Sequence, residues 1–466
     1  MLIIPANSAS AAGGFEVSNS CRFNGTSSDY LSKTPSSSGN RKTWTASVWL
    51  KGQPSTTVNN IAGQAVYSAG NAATDRTHFY FTNGIFEFRT EISNTQQIIT
   101  TNQTFSDPAA FYHFVVAVDS TQSTAANRVK IYVNGVQITS FAAAAYLAQN
   151  ADTYVNHTVL QTVGRASYIA NQASGSYWNG YMAEFVLLDG TAATPTSFGE
   201  FDEDSNIWKP IDVSGLTAGT NGFYLDFKAS ANLGNDAFGG TDLDEYNLTA
   251  IDQSTDTCTN NFATLNPLAP MDTGSLVQAL SEGNLKANGP AEGVGWQTAY
   301  ATIPLSSGKW YIEVLVTQVA GNEVVIGLNP DNFSNTSDTA HSNSTAGVWY
   351  QSNGNKWVSG SSSSYGATYD DGDIISVLIN MDDSEVTFYK NDASQGTISF
   401  NTNLTGASSI IFGTNGIEVT SITQFNFGSP PYAVSSSNTD GNGYGNFEFA
   451  TKGGYALNTK NLAEYG

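Results

Sequence analysis

Apolar and polar residues alternate with a period of two through most of this chain, and helical periodicity is nearly absent. Successive side chains of a strand point to opposite faces, so this pattern commits a segment to a half-buried strand. Trp44, Ala46, Val48 and Leu50 share one face, while Thr45, Ser47, Trp49 and Lys51 take the other. Phe111 to Val118 reads as a more deeply buried strand. Val129, Ile131 and Val133 alternate with Lys130, Tyr132 and Asn134, and Asn134-Gly135 then turns the chain into Val136-Gln137-Ile138. Asn-Gly between alternating runs predicts a hairpin, because both central residues must take positive φ. Gly180 to Leu188 is a further strand. Downstream, Gly308 to Val316 and Asp373 to Met381 repeat the pattern, as does Val386 to Lys390 with its Asn391-Asp392 turn. Two sets of short strands joined by polar turns predict an all-β chain of two antiparallel β-sandwich (jelly-roll) domains.

A chain of 466 residues is more than one core usually fills. The reading divides it into an arm over residues 1–14, a first sandwich over 15–229, a linker or surface segment over 230–274, and a second sandwich with a C-terminal tail over 275–466. Residues 230–274 show little alternation and many turn formers. Residues 433–446, rich in Ser, Asn and Gly, read as a mobile loop. With 18 Lys+Arg against 40 Asp+Glu, the net charge of −22 excludes the basic footprint that nucleic acid requires. A hydrophobic content of 40% argues against wholesale disorder. Cys21 and Cys258 are expected to be free thiols. No stretch of about 18 apolar residues occurs, so no membrane insertion is expected. The N-terminus has no basic segment ahead of its short apolar run, which predicts synthesis and folding in a cytoplasm.

The first block resembles the concanavalin A-like lectin/glucanase superfamily in its laminin-G-like form. The resemblance is carried by Phe23-Asn24-Gly25-Thr26, Tyr30-Leu31, Trp44 to Lys51, Tyr112-His113, Lys130 to Gly135 and Gly180 to Asp189. The second block resembles a SPRY domain, itself a bent β-sandwich, through Gly308 to Val314, Val325 to Leu328, Gly372 to Ile375, Val386 to Asn391 and Asn426-Phe427-Gly428. Phrases along the whole chain resemble virion proteins of tailed bacteriophages. They are Asn40 to Trp44, Phe198 to Asp204, Asn221 to Phe227, Thr259 to Pro267 and Ala456 to Leu462.

The sharpest enzymatic candidate is the run Glu200-Phe201-Asp202-Glu203-Asp204. Family-16 glucanases carry spaced acids on one strand, which period-two spacing aims into one cleft. The run here follows a Thr194-Pro195-Thr196-Ser197 turn and ends on the shorter Asp204, so an acidic surface segment over Phe198, Phe201 and Trp208 is the preferred reading. His78, His113, His157 and His341 lie far apart, and His113 in its apolar strand reads as a satisfied core residue. No cofactor is required. Calcium is the ion the loops could hold, with Asp202, Asp204, Asp370, Asp371 and Asp373 as candidates, against the plainer reading of turn chemistry. Aromatics in polar surroundings are the expected carbohydrate-binding residues: Trp178, beside Tyr177, and Trp349, Tyr350, Trp357 and Tyr365. The alternative for Trp349, Tyr350 and Trp357 is a place inside the core.

The resemblance implies a non-enzymatic virion surface protein, made in the bacterial host cytoplasm and placed on the tail or capsid. Its expected partners are host-surface glycans, other virion proteins and further copies of itself. The alternatives are a decoration protein with no glycan ligand, and a polysaccharide-cleaving enzyme using the 200–204 acids.

Overall fold

A computed structural model describes residues 14–52, 63–167, 176–268, 279–288, 297–319, 324–330, 347–400, 410–416 and 421–466. The chain forms two compact units that divide between Asn260 and Asn261. Antiparallel sheets dominate both units, as the alternation predicts, and one α-helix, Thr459–Tyr465, occurs among the described residues.

The first unit stacks two sheets. Sheet I runs in the order Val136–Gln137, Val129–Val133, Tyr112–Asp119, Thr43–Gly52, Gly180–Asp189, Ser20–Phe23 and Gln253–Ser254, with Phe223–Leu225 also on Gly180–Asp189. Sheet II runs Phe141–Ala144, Thr95–Thr104, Ile85–Ile92, Asp75–Thr82, Gln64–Ala72, Gln161–Val163, Tyr30–Lys33 and Asp244–Tyr246. Trp44, Ala46, Val48 and Leu50 enter the core between the sheets, while Trp49 packs on the other face with Phe111, Tyr181, Trp208 and Cys258. Sheet I is therefore buried on both faces, and all ten residues of Gly180–Asp189 are out of solvent. The hairpin after Val133 forms as expected, with Asn134 at φ 47° and Gly135 at φ 79°. Gly135 is required twice over, because a Cβ there would also lie 2.4 Å from the Trp208 ring.

The second unit stacks sheet III on sheet IV. Sheet III runs Ala279–Ser281, Lys286–Asn288, Ile422–Asn426, Lys309–Gln318, Ile374–Asn380, Glu385–Lys390 and Ala393–Ser399. Sheet IV runs Gln297–Tyr300, Ile410–Gly416, Val324–Pro330, Val348–Gln351, Asn355–Val358 and Ser361–Ser364. The turn between Glu385–Lys390 and Ala393–Ser399 holds Asn391 and Asp392 at positive φ. Both cysteines are buried free thiols.

Two expectations about connecting segments are corrected. Of the two readings for 230–274, linker or surface segment, residues 230–260 are not the linker but a segment of the first unit: Asp244–Tyr246 is the edge strand of sheet II and Gln253–Ser254 that of sheet I, with Leu233 and Leu243 in the core. Asp256 is buried against Lys51 at 2.7 Å. Residues 261–268 belong to the second unit, where Ala263 N–H donates to Leu457 and Asn266 N–H to Tyr300. Strands of two or three polar residues are too short to show a period. Residues 433–446 are not a free loop either. Asp440 accepts Asn442 and Tyr444 N–H on one oxygen, and Ala456 N–H and Asn461 Nδ2 on the other. Residues 1–13 and 269–274 of the expected arm and linker lie outside the described residues, as does His341.

Candidate ligand-binding site

The outer face of sheet II carries the most chemically varied surface of the first unit. Its core side holds Leu31, Tyr67, Phe79, Phe88, Ile99 and Val163, so alternation sends the neighbouring residues outward. At the end of the sheet, Tyr246 stands directly opposite Tyr30 in the strand register. Their rings stack with centroids 4.3 Å apart and planes 4° from parallel. The Arg165 guanidinium lies 4.7 Å from the centre of the Tyr30 ring and 5.6 Å from that of Tyr177. Tyr246 is 41% exposed; Tyr30, Tyr177 and Arg165 are half-buried. Burial raises the Tyr30 phenol, and the Arg165 charge pulls it partly back.

Backbone contacts fix this platform. Thr162 Oγ1 donates to the Arg165 carbonyl at 2.6 Å, and Trp178 N–H donates to Gly164 at 2.8 Å. Asn247 Nδ2 ties the start of the 27–30 turn, donating to Ser27 at 2.8 Å. Trp178 itself is 4% exposed and packs beside Phe81 in the core. It is an anchor that turns the adjacent Tyr177 to the surface, not a sugar platform.

Further along the same face, charges pair off. Arg76 meets Glu91 at 2.9 Å and Arg89 meets Glu87 at 2.7 Å. Burial and the Glu87 charge push the Tyr80 phenol up to about 12. Glycoside cleavage needs one carboxyl held protonated beside another; here a guanidinium neutralises each acid.

The buried outer face of sheet I holds a second polar group. Trp208 Nε1 donates to His113 Nδ1 at 2.9 Å, and His113 Nε2 lies 2.8 Å from Ser47 Oγ. An indole N–H can only donate, so the imidazole proton sits on Nε2 and points at Ser47. His113 Nε2–H therefore donates a hydrogen bond to the serine hydroxyl and is not oriented to accept its proton. Burial lowers this histidine to about 3, in keeping with a satisfied neutral core residue. Nearby in the same strand layer, Glu184 sits in a bulge at φ 50°, and burial raises it to about 7 against the hydrogen bond from Tyr224.

The remaining expected site residues are dispersed. Glu200 to Asp204 lie on a two-stranded hairpin, Gly199–Phe201 with Trp208–Pro210. Asp202 accepts Ser205 N–H at 2.9 Å and Lys209 Nζ at 3.0 Å, which together hold its carboxyl well below the usual range. Asp204 is exposed. Of the aromatics beneath, Phe198 and Trp208 are buried but Phe201 is 43% exposed. In the second unit, Asp373 accepts Asp370 N–H and Asn391 Nδ2 and pairs with Lys390 at 3.0 Å. Asp371 accepts Val319 N–H, and Asp370 accepts Asp371 N–H. These are turn-stabilising roles. Among the described residues no group of three or more His, Cys, Asp and Glu converges to hold a metal ion.

Trp349 and Tyr350 are fully buried. They are neighbours on Val348–Gln351, a strand covered on both faces, which removes them as exposed stacking surfaces. Trp357 is half-buried opposite Trp349, with its Nε1 donating to Gln351 at 2.8 Å. Tyr365 is half-buried, and its hydroxyl donates to Gly396.

Residues 24–196 match the model of the concanavalin A-like lectin/glucanases superfamily, and residues 309–429 match the SPRY domain. The chain thus carries a concanavalin A-like, laminin-G-type domain followed by a SPRY domain. No curated protein matches the sequence. Similar solved structures include mouse laminin alpha1 domains LG4-5, at 11% identity over 87% of this chain and 84% of that one, TM-score 0.31. The SPRY domain of human HERC1 is 12% identical over 34% of this chain and 96% of that one, TM-score 0.29.

Proposed function

We propose that this chain is a non-enzymatic surface protein of a tailed-bacteriophage virion that holds host-surface carbohydrate on its first sandwich. The observation that carries the reading is the stacked Tyr30–Tyr246 pair with Tyr177 and Arg165 beside it. Sugar rings present apolar C–H faces that stack on such aromatics, while side-chain donors take their hydroxyls. The virion setting rests on the tailed-phage phrases in the sequence, and recovery of the chain from purified tailed particles tests it.

The non-enzymatic part is supported by the His113 proton facing Ser47 and by the guanidinium-neutralised acids of sheet II. The SPRY domain is the proposed contact to another virion protein. A saccharide array on the purified protein tests carbohydrate binding. Saturable binding that survives EDTA and is weakened about fivefold in Tyr246→Ala is the expected result. No binding to any saccharide returns the chain to the decoration reading.

A further inference from the structure

We propose that the platform on sheet II selects an acidic saccharide, a sugar ring bearing a carboxylate or a sulfate. The inference deepens the carbohydrate-binding reading and rests on it. Its starting point is Arg165. The sequence holds six arginines: Arg22, Arg41, Arg76, Arg89, Arg128 and Arg165. Arg22, Arg76 and Arg89 meet carboxylates. Arg41 and Arg128 donate to backbone carbonyls of Thr153, Leu147 and Gln122. Arg165 meets no carboxylate within ion-pair distance among the described residues, and its buried Nε–H finds no acceptor. In a chain with 40 acids, a guanidinium packed against two tyrosine rings that meets no carboxylate among the described residues is a binding group awaiting an anion.

The geometry suits that role. The hydrogen bond from Thr162 fixes the backbone at Arg165, and the guanidinium rests against the rings of Tyr30 and Tyr177. A planar fork of donors takes a carboxylate or sulfate through two parallel hydrogen bonds, which an ammonium cannot reproduce. The Arg165 guanidinium and the Tyr246 ring both pack on Tyr30, 4.7 Å and 4.3 Å from its centre, so one oligosaccharide can stack on Tyr246 and ion-pair with Arg165 at once.

The test uses the full chain and three probes: a galacturonate oligomer, a sulfated galactan oligomer, and the same galacturonate oligomer with its carboxyls reduced to neutral alcohols. Calorimetric titration at low and high salt is expected to show an acidic oligomer bound roughly tenfold more tightly than the reduced one, with the preference fading as salt rises. Arg165→Gln is expected to remove the preference and the salt dependence. Arg165→Lys is expected to keep the salt dependence but lose most of the affinity, and it guards against a fold effect, as does the salt titration of the unaltered protein. Preference for the carboxylate over the sulfate oligomer, or the reverse, identifies the anion. Equal binding of the acidic and reduced oligomers, unchanged in Arg165→Gln, overturns the inference and leaves carbohydrate binding standing. Absence of binding to all three, and to a neutral saccharide array, overturns both.

Discussion

Each sandwich buries a carboxylate to hold a late stretch of chain against its sheet, and the two use different partners. In the first, Asp256 meets Lys51 at 2.7 Å with both side chains almost out of solvent, and the Lys51 ammonium also lies 5.4 Å from the centre of the Tyr181 ring. In the second, Glu313 has no cation within ion-pair reach among the described residues. Its oxygens accept the Tyr311 hydroxyl, Asn426 Nδ2, and the N–H groups of Glu448 and Phe449. The arginines divide the same way, since all six precede residue 166. At these two buried carboxylates the first sandwich uses a cation, and the second uses neutral donors spread over several residues. An ion pair concentrates its effect in two groups, whereas a cradle of four donors distributes it.

That contrast predicts unequal responses to single changes. Lys51→Ala leaves Asp256 buried without its cation and is expected to cost the first sandwich about 3–5 kcal/mol. Calorimetry should show its unfolding transition fall while that of the second stays in place. The double change Lys51→Met, Asp256→Leu is expected to recover most of the loss, because no charge is then stranded. Glu313→Gln places an amide N–H against groups that themselves donate, and is expected to cost the second sandwich about 2 kcal/mol, with the first unaffected. A larger loss for Glu313→Gln than for Lys51→Ala would overturn the comparison.

Acidity separates the two sandwiches in a different way. Burial raises Glu184 from 4.5 to about 7, so its folded form prefers the proton. Its contribution to stability is full below about pH 4.5 and is lost as pH rises through 7. Burial lowers His113 from 6.5 to about 3, so its contribution is full above pH 6.5 and is lost as pH falls toward 3. Between pH 4.5 and 6.5 these slopes oppose, each worth about 2 kcal/mol. Glu184→Gln is therefore expected to leave the histidine slope uncompensated, and the first sandwich should lose about 2 kcal/mol more than the native protein on going from pH 6.5 to 4.5. His78, also lowered by burial, acts in the same direction as His113. In the second sandwich, burial raises Glu313, so its own contribution grows as pH falls, while Glu448 and Asp373, both lowered, contribute in the opposite direction. Urea titrations at a series of pH values measure both slopes.

The strands and hairpins that the sequence made legible are those with several alternating residues or a turn that demands positive φ, such as Thr43–Gly52, Asn134-Gly135 and Asn391-Asp392. Asp244–Tyr246 and Gln253–Ser254 escaped notice because three polar residues carry no period, and their partners lie over 200 residues away. The platform was hidden for the same reason. Tyr30, Arg165, Tyr177 and Tyr246 have no common motif, and the pairing of Tyr30–Lys33 with both Gln161–Val163 and Asp244–Tyr246 brings them together. Composition around Trp349 and Tyr350 suggested exposure, but a Gly- and Ser-rich neighbourhood does not say which faces of a strand are covered. At Tyr177-Trp178 the surface ring is Tyr177, and Trp178 is the buried neighbour.

The smallest expected effect concerns which sandwich holds the sugar. Tyr246 offers an exposed ring whose loss touches little beyond Tyr30, so Tyr246→Ala should weaken saccharide binding about fivefold, or about 1 kcal/mol, with stability nearly unchanged. Tyr365 is committed to its own fold: its hydroxyl serves Gly396, its ring meets Tyr350 and Phe388 edge-on, and Lys356 lies 5.4 Å from its centre. Tyr365→Ala should lower the stability of the second sandwich and leave saccharide affinity untouched. Parallel binding isotherms and melting curves for the two variants separate these outcomes. If affinity falls with Tyr365 and not with Tyr246, the sugar lies on the SPRY domain, and the stacked tyrosines of the first sandwich hold the edge strand Asp244–Tyr246 in register instead.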